Sequence, residues 1–360
     1  MAFNVRVLAL YLPQYHPIPE NDLWWGKGFT EWTNVGKARK LFKGHYQPRV
    51  PADLGYYDLR VVETRIAQAE MACRYGIEGF IYWHYWFGNG KRLLERPFHE
   101  VLQSGQPDFP FALAWANESW QGFAHGLKNR NMLIEQKYGG VEDYTAHFYE
   151  VLPAFRDKRY IKVDGKPFFM IYKPMEMDDI ELFIETWQRL AKENNLLGIH
   201  FVGHNNQPKI SDEQILAIKG IDAVNPVRLI EYTANRRSNM RKVYDKLYRK
   251  IRRRPLTYPY SLVSRYFLSE NDARENVYPG IIPDWDHSPR SGGEGLVLSG
   301  SSPEKFGQLV AKAVKLVENK EPEHRIIVLK SWNEWAEGNY MEPDLKWGHK
   351  YLEALYNQIK

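Results

Sequence analysis

Eight short apolar runs, spaced so that a helix fits between most neighbours, constrain this chain more than any other feature. They occupy residues 5–11, 79–85, 109–115, 167–172, 199–203, 221–224, 277–282 and 326–329. Apolar residues fill these runs almost continuously, the pattern of parallel strands buried on both faces. Helices are expected over 58–75, 93–103, 143–155 and 178–193, the first with Val62, Ile66, Ala69 and Cys73 on one face. Strands alternating with helices predict an α/β fold, and eight of them a (β/α)8 TIM barrel with extended βα loops. A doubly wound sheet would gather its polar residues at one crossover, whereas here nearly every run ends in His, Asn, Glu, Trp or Tyr. The 360 residues suit one barrel domain over 1–360, with an inserted basic helical segment at about 232–276.

In such a barrel the C-terminal strand ends form one rim, and active sites are built there. The first run ends at Tyr11 and leads through His16 into a long aromatic loop that carries Trp32 and His45. The second run delivers Tyr82 and His84, the third Trp115, Asn117 and Glu118, the fifth His204, and the seventh Trp285 and Asp286. Rings beside amide, imidazole and carboxylate groups suit a sugar, so all of these are expected to bind substrate. Taken singly, His16, His45, His84 or Trp115 fits a satisfied core or loop residue equally well.

The eighth run ends most abruptly. Ile326, Ile327, Val328 and Leu329 are followed by Trp332, Asn333, Glu334, Trp335, Glu337, Asn339 and Tyr340, with Gly338 and Pro343 breaking any helix. Cleaving a glycosidic bond needs one carboxyl group kept protonated and another kept ionised. Burial against rings raises one pKa while polar neighbours hold the other down. Many E-x-x-E pairs are ordinary solvated loop residues. Here two tryptophans and an asparagine surround the pair directly past a core strand, and Glu334 and Glu337 are expected to be catalytic. Trp332, Asn333 and Tyr340 join the expected substrate-binding set.

The run W-N-E-W-A-E-G-N-Y-M-E-P at 332–343, with L-Y-L-P-Q-Y-H-P-I-P-E-N-D at 10–22 and W-G-K-G-F-T-E-W-T-N-V at 25–35, resembles the WbsX-like family. These proteins of bacterial polysaccharide gene clusters are related to glycoside hydrolase family 99, endo-acting α-mannosidases and α-mannanases on a (β/α)8 barrel. The resemblance runs from residue 5 to about 355. It implies that Glu334 works on the substrate's 2-hydroxyl, which attacks the anomeric carbon to give a 1,2-anhydro sugar, and that Glu337 is the general acid/base. Ala336 stands where family 99 usually has histidine, and Asn339-Tyr340-Met341-Glu342 where it has T-Q-I-E, which leaves the sugar unassigned.

Net charge is +5, but residues 236–254 hold ten Lys or Arg against Asp245 alone, +9 locally, so the rest of the chain is −4. Within that segment Met240, Val243, Tyr244, Leu247, Tyr248 and Ile251 recur at helical spacing, with Ser238 or Asn239 to cap and Pro255 to stop the helix. Two readings stand: the apolar stripe packs on the body, or the helix meets an anionic membrane leaflet, an acidic glycan or a lipid-linked pyrophosphate. Nucleic acid is not expected, because the acidic body would oppose it. Asp284-Trp285-Asp286 matches a D-x-D metal pattern, but substrate binding by Trp285 and Asp286 is favoured and no metal is expected. His200 and His204 would lie about 13 Å apart along a strand, too far to share an ion. No G-x-G-x-x-G or Walker motif supports a nucleotide, and no cofactor is expected. Cys73, the single cysteine, permits no internal disulfide and is expected to be a buried thiol. Without a signal-like N-terminus or a membrane-length apolar run, a cytoplasmic protein is expected, peripheral at the membrane if the basic helix binds there.

The function that fits best is a retaining endo-glycosidase acting on a bacterial polysaccharide or an α-mannan-like glycan. A glycosyltransferase of surface polysaccharide synthesis and a non-catalytic glycan-binding barrel are the alternatives.

Overall fold

The structure, a computed structural model, describes residues 4–122 and 131–360. Eight parallel strands form a barrel: β1 (Arg6–Tyr11), β2 (Gly79–Trp86), β3 (Phe111–Trp115), β4 (Lys166–Ile171), β5 (His200–Asn205), β6 (Ala223–Pro226), β7 (Gly280–Ile281) and β8 (Ile326–Leu329). Going round the ring the order is β6, β5, β4, β3, β2, β1, β8, β7, every pair parallel. The seam between β6 and β7 is held by one bridge, in which Val224 accepts from Tyr278 N (2.8 Å) and donates to Asn276 O (2.9 Å). That bridge uses residues expected to begin the seventh strand, and the strand itself shortens to Gly280–Ile281.

Helices α1 (Val62–Arg74), α2 (Arg96–Ser104), α3 (Gly140–Arg156), α4 (Ile180–Glu193) and α5 (Asp212–Leu216) follow β1 to β5 in turn. After β6 comes α6 (Asn239–Arg252), after β7 α7 (Pro303–Val317), and after β8 α8 (Lys350–Ile359). Several starts are written locally. Ser211 and Gln214 form a reciprocal capping box at α5, and Ser302 accepts from Lys305 N at α7, whose first turn opens with Pro303.

One helix turns a different face inward from the one expected, and on another the structure bears on two readings left open. On α1, Ala69 of the expected face is buried but Cys73 is exposed, and the other buried positions are Arg65, Gln68, Met71 and Ala72. Polar contacts select that face: Arg65 Nη1 donates to Leu59 O (2.5 Å) and pairs with Glu100 (2.8 Å), while Gln68 receives the Tyr11 hydroxyl. On α6, Tyr248 alone of the apolar stripe packs against the core, and the rest of the stripe does not. Met240, Val243, Tyr244, Leu247 and Ile251 are exposed, and Asp245 is the buried residue of the helix.

Strand phase decides which side chains can reach the barrel mouth, because successive residues point to opposite faces. Tyr82 packs on Phe98 of α2, its ring 5.3 Å away, and His84 and Trp86 stack on His147 of α3 at 5.0 and 4.7 Å. These residues face the helix layer. The register pairs Tyr11 with Tyr82 and His84 with Trp115, which puts all four on that outer side. Tyr11, Tyr82, His84 and Trp115 were expected to bind substrate, yet they lie between sheet and helices, and three of them have polar atoms engaged there. The Tyr11 hydroxyl donates to Gln68 (2.7 Å), Trp115 Nε1 donates to Trp86 O (2.9 Å), and His84 Nε2 lies 2.8 Å from His147 Nε2. The complementary set on β2, Trp83 and Tyr85, faces the interior.

Candidate active site

Beyond β8 the chain makes a tight turn held by hydrogen bonds from both of its sides. Asn333–Glu334 and Asn339–Tyr340 pair antiparallel around a helical turn, Trp335–Glu337. The Asn333 amide substitutes for backbone, accepting from Leu12 N (2.8 Å) and donating to Leu12 O (3.0 Å). The Tyr15 hydroxyl donates to Asn333 O and accepts from Trp335 N (3.2 Å). Trp335 and Tyr340 stack with centroids 3.8 Å apart, a pair worth about 1 kcal/mol beyond its burial. Gly338 ends the turn at φ 59°, and a Cβ there would sit 2.8 Å from Asp286 Cβ and 2.9 Å from Arg49 Cζ. Beneath the turn, buried Glu342 accepts from Trp335 Nε1 (2.5 Å), Gln68 Nε2 (2.6 Å) and the Tyr57 hydroxyl (2.8 Å). Burial outweighs these donors and pushes its pKa up to about 7.

This frame holds Glu334 and Glu337 on one buried cation. Arg290 Nη2 lies 3.3 Å from Glu334 Oε2, Nη1 lies 2.6 Å from Glu337 Oε1, and Nε lies 3.1 Å from Glu31 Oε2. Lys330 Nζ stands 3.7 Å from Glu337 Oε2, and His287 Nε2 stands 4.0 Å from Oε1. The Arg290 side chain is 11% exposed and that of Glu334 7%. Burial first, then the adjacent charge of Glu337, pushes the Glu334 carboxyl up to about 7 against the pull of Arg290 and Lys330. A carboxyl poised there can accept a proton near neutrality. Glu337 is clasped by Arg290 and approached by Lys330.

Around this cluster, Trp83, Tyr172 and His204 form an aromatic wall, with Tyr172 5.2 Å from each of the other two. His204 is kept neutral, its pKa lowered to about 3 by burial and by the charge of Lys330, and its Nδ1 donates to Asn225 Oδ1 (2.8 Å). Lys330 Nζ lies 5.5 Å from the centre of the Trp285 ring. Glu118 pairs with Lys173 at 3.0 Å on the same rim. Burial, then the charges of Glu334 and Arg290, perturb the Tyr85 hydroxyl, which is raised far above its ordinary value. His204, Trp285 and Glu118 therefore lie on the rim around the glutamate pair.

Other expected binding residues position this site. Asp286 accepts from His45 Nε2 (2.7 Å), Gln47 Nε2 (2.7 Å) and Ser288 N (2.9 Å). Leu41 N donates to His45 Nδ1 (3.1 Å), so the proton of His45 is on Nε2. Burial would raise the Asp286 carboxyl, but His45 and the charge of Arg49 bring it down to about 2. Asp284 binds Arg49 at 2.9 Å, so both carboxylates of the D-x-D run are occupied by donors, a setting unlike that of a divalent metal site. Asn117 ties Lys173 N (2.8 Å) and Lys173 O (3.0 Å). Trp32 donates to Tyr57 O (2.7 Å), the Tyr340 hydroxyl donates to Asp344 (2.6 Å), and His16 Nδ1 meets Pro13 O (3.0 Å). Trp332 and Asn333 are fully buried.

Arg290, Glu31, Lys330, Trp83, Tyr85 and Tyr172 were not among the residues expected to react or to bind substrate, although Glu31 and Tyr85 lie in a loop and at a strand end that the sequence marks. Arg290 had one local signal: it is a lone arginine in the loop just past the seventh strand, on the rim where charges are functional.

A model of the family described as glycosyltransferase WbsX matches residues 7–355. Two proteins of Xanthomonas campestris pv. campestris, each described as WxcX, are 35% and 34% identical to the chain over 360 residues. Each match takes in 97% of this chain and 48% of the relative, so the chain spans about half the length of these curated relatives. Among solved structures, a glycoside hydrolase-like protein superposes with a TM-score of 0.59 at 14% identity, over 99% of this chain and 94% of that one. The family 99 endo-α-mannosidase of Bacteroides thetaiotaomicron, in complex with bis-tris-propane, superposes with a TM-score of 0.57 at 13% identity, over 98% and 95%. At these identities the two structures share the fold.

Proposed function

This chain belongs to the WbsX glycosyltransferase family, and from that premise we propose that it is a glycan-processing enzyme whose Glu334 and Glu337 break a glycosidic bond with retention. The substrate class is a bacterial polysaccharide or an α-mannan-like glycan, cut internally. One observation carries the reading: two glutamates from one strand end, Glu334 buried and Glu337 partly so, share Arg290, and Glu334 holds its proton to about 7. In the proposed route Glu334 takes the proton of the 2-hydroxyl, O2 attacks the anomeric carbon, and the bond to the leaving oxygen breaks as Glu337 protonates that oxygen. Water, deprotonated by Glu337, then opens the 1,2-anhydro ring and Glu334 returns the proton to O2. Substrate must first draw Arg290 away from Glu337, since that ion pair leaves no place for the proton to be donated.

A glycosyltransferase is the second reading, favoured by the description of the family and by Arg290 and Lys330, which could hold a diphosphate leaving group beside the carboxylates. The test is turnover on bacterial glycans with and without nucleotide sugars, comparing the wild type with Glu337→Gln. We expect Glu337→Gln to slow hydrolysis of natural glycosides about 100-fold to 10,000-fold, and substrates with activated leaving groups far less. Transfer from a nucleotide sugar without hydrolysis would select the second reading. Tight oligosaccharide binding without turnover, unaffected by Glu334→Gln, would select a glycan-binding barrel.

A further inference from the structure

We infer that α6 is a docking helix for an anionic lipid bilayer. Five of the fifteen exposed large hydrophobic residues among those described lie on this one helix: Met240 (83% exposed), Val243, Tyr244, Leu247 and Ile251. The other ten are dispersed along the chain, as single exposed apolar residues normally are. The stripe is not an unsatisfied core face, because the helix is fixed from its opposite side. Asp245 is buried and accepts from Arg237 Nη1 (2.7 Å) and from the Tyr258 hydroxyl, with Arg241 Nε 3.0 Å from its other oxygen. That ion-pair anchor holds the charge inward and the apolar stripe outward.

The composition beside the stripe names the partner. Lys242, Lys246 and Lys250, four apart, run along one edge of it, and Arg252, Arg253 and Arg254 follow at its end. All six are exposed. A narrow apolar face with cations along its border is the arrangement that sinks into the headgroup boundary of an acidic leaflet, with lysine stems lying along the apolar surface and their ammonium groups at the phosphates. A soluble acidic glycan would match the cations but leave the stripe in water. A protein partner would cover the stripe, but nothing in the charge pattern calls for one. No helix among the described residues is long and apolar enough to cross a membrane.

The placement of the helix follows from the same contacts. Tyr258, which holds Asp245, lies on the strand Leu256–Pro259, paired with Leu296–Ser299. That second strand bonds to the segment leading into Arg290, with Leu298 N on Trp285 O (2.8 Å) and His287 N on Leu296 O (3.1 Å). Docking stands without the catalytic reading. Only its corollary, that the barrel mouth is presented to glycans carried on the bilayer, rests on that reading.

The experiment is co-sedimentation of the chain with vesicles of phosphatidylcholine alone or with about 30% phosphatidylglycerol, at low and physiological salt. We expect binding to the acidic vesicles only, weakened by salt. Val243→Ser with Leu247→Ser should lower it about 10-fold or more, and Lys242, Lys246 and Lys250→Gln about 100-fold at low salt. A nitroxide on Leu247→Cys in a Cys73→Ser background should report immersion below the headgroups. The proposal is overturned by absence of binding to acidic vesicles at low salt or by binding indifferent to the serine pair. It is equally overturned if the same serine pair abolishes self-association or binding to a soluble acidic polysaccharide while vesicles go unbound. Circular dichroism and turnover, where present, separate misfolding and failure of the catalytic reading from failure of docking.

Discussion

The rim beyond β8 and the helix α6 both break the usual partition of charge outside and apolar inside, and they break it in opposite senses. At the rim, Glu31, Glu334, Glu337 and Arg290 are drawn in among tryptophan and tyrosine rings. On α6, one aspartate goes in and five apolar side chains go out. Each inversion is held by ion pairs, but to different ends. Arg290 is needed because its three carboxylates are desolvated, whereas Arg237, Arg241 and Asp245 fix the rotation of a helix whose other side is open. Local departures from patterning of this kind are tolerated where they serve a function. On the proposed readings the rim inversion serves chemistry, and the helix inversion serves a surface.

The comparison breaks most visibly at Arg290. Arg290→Met removes the shared cation and leaves buried carboxylates facing one another, at a cost of about 3–5 kcal/mol in unfolding free energy at pH 8. The loss should shrink at pH 5, where the carboxyls can protonate. Urea unfolding at the two pH values measures it, and equal losses would show that the guanidinium acts only by packing.

Next in size is Glu334→Gln. The folded group titrates at about 7, above its ordinary 4.5. Between those values the folded state binds more protons than the unfolded, so the stabilisation present below 4.5 is lost as pH rises through 7. The glutamine variant should lack that decline and be about 1–3 kcal/mol more stable at pH 8 relative to pH 4.5 than the parent, although inactive. A parallel pair of Tm-against-pH curves would contradict the raised pKa.

The two regions were not equally legible. The end of β8 was readable because everything that makes it distinctive is contiguous: a four-residue apolar strand followed at once by the glutamates and their aromatic neighbours. Its boundaries, 326–329, fell where the sequence put them. Arg290 was not readable, because it reaches the glutamates only through the lateral pairing of β7 with β8, as Glu31 does through that of β1 with β8. Tyr82 and His84 were misjudged by one residue of phase. In a strand that is apolar on both faces, alternation gives no sign of which residues face the mouth, and only the register with β1 and β3 settles that Trp83 and Tyr85 do. On α6 the helical period was plain, but periodicity identifies a stripe without saying where it points. The deciding residue was the one acid in a basic run.

Asp245→Ala sharpens the comparison at that residue. It leaves Arg237, Arg241 and the Tyr258 hydroxyl without their common acceptor, and should cost about 1–2 kcal/mol locally. Hydrogen exchange of 239–252 should quicken while β1 to β8 keep their protection. Exchange that quickens throughout the barrel would mean that α6 supports the fold, not merely a surface.

The smallest expected effect separates the two inversions most cleanly. Val243 and Leu247 are 59% and 52% exposed, so replacing both by serine removes little buried apolar area from the folded chain. Serine lowers helix propensity relative to leucine by a few tenths of a kcal/mol and is close to valine. The summed change in unfolding free energy should therefore stay within about 0.5 kcal/mol, the range of surface substitutions. Urea unfolding of a dilute sample makes the measurement. A loss above about 1 kcal/mol could arise only if the stripe were covered in solution, since an exposed side chain has no such contact energy to lose. Repeating the measurement across protein concentrations then identifies the cover. A loss that grows with concentration points to a second copy of the chain, and one that does not points to packing within the chain itself.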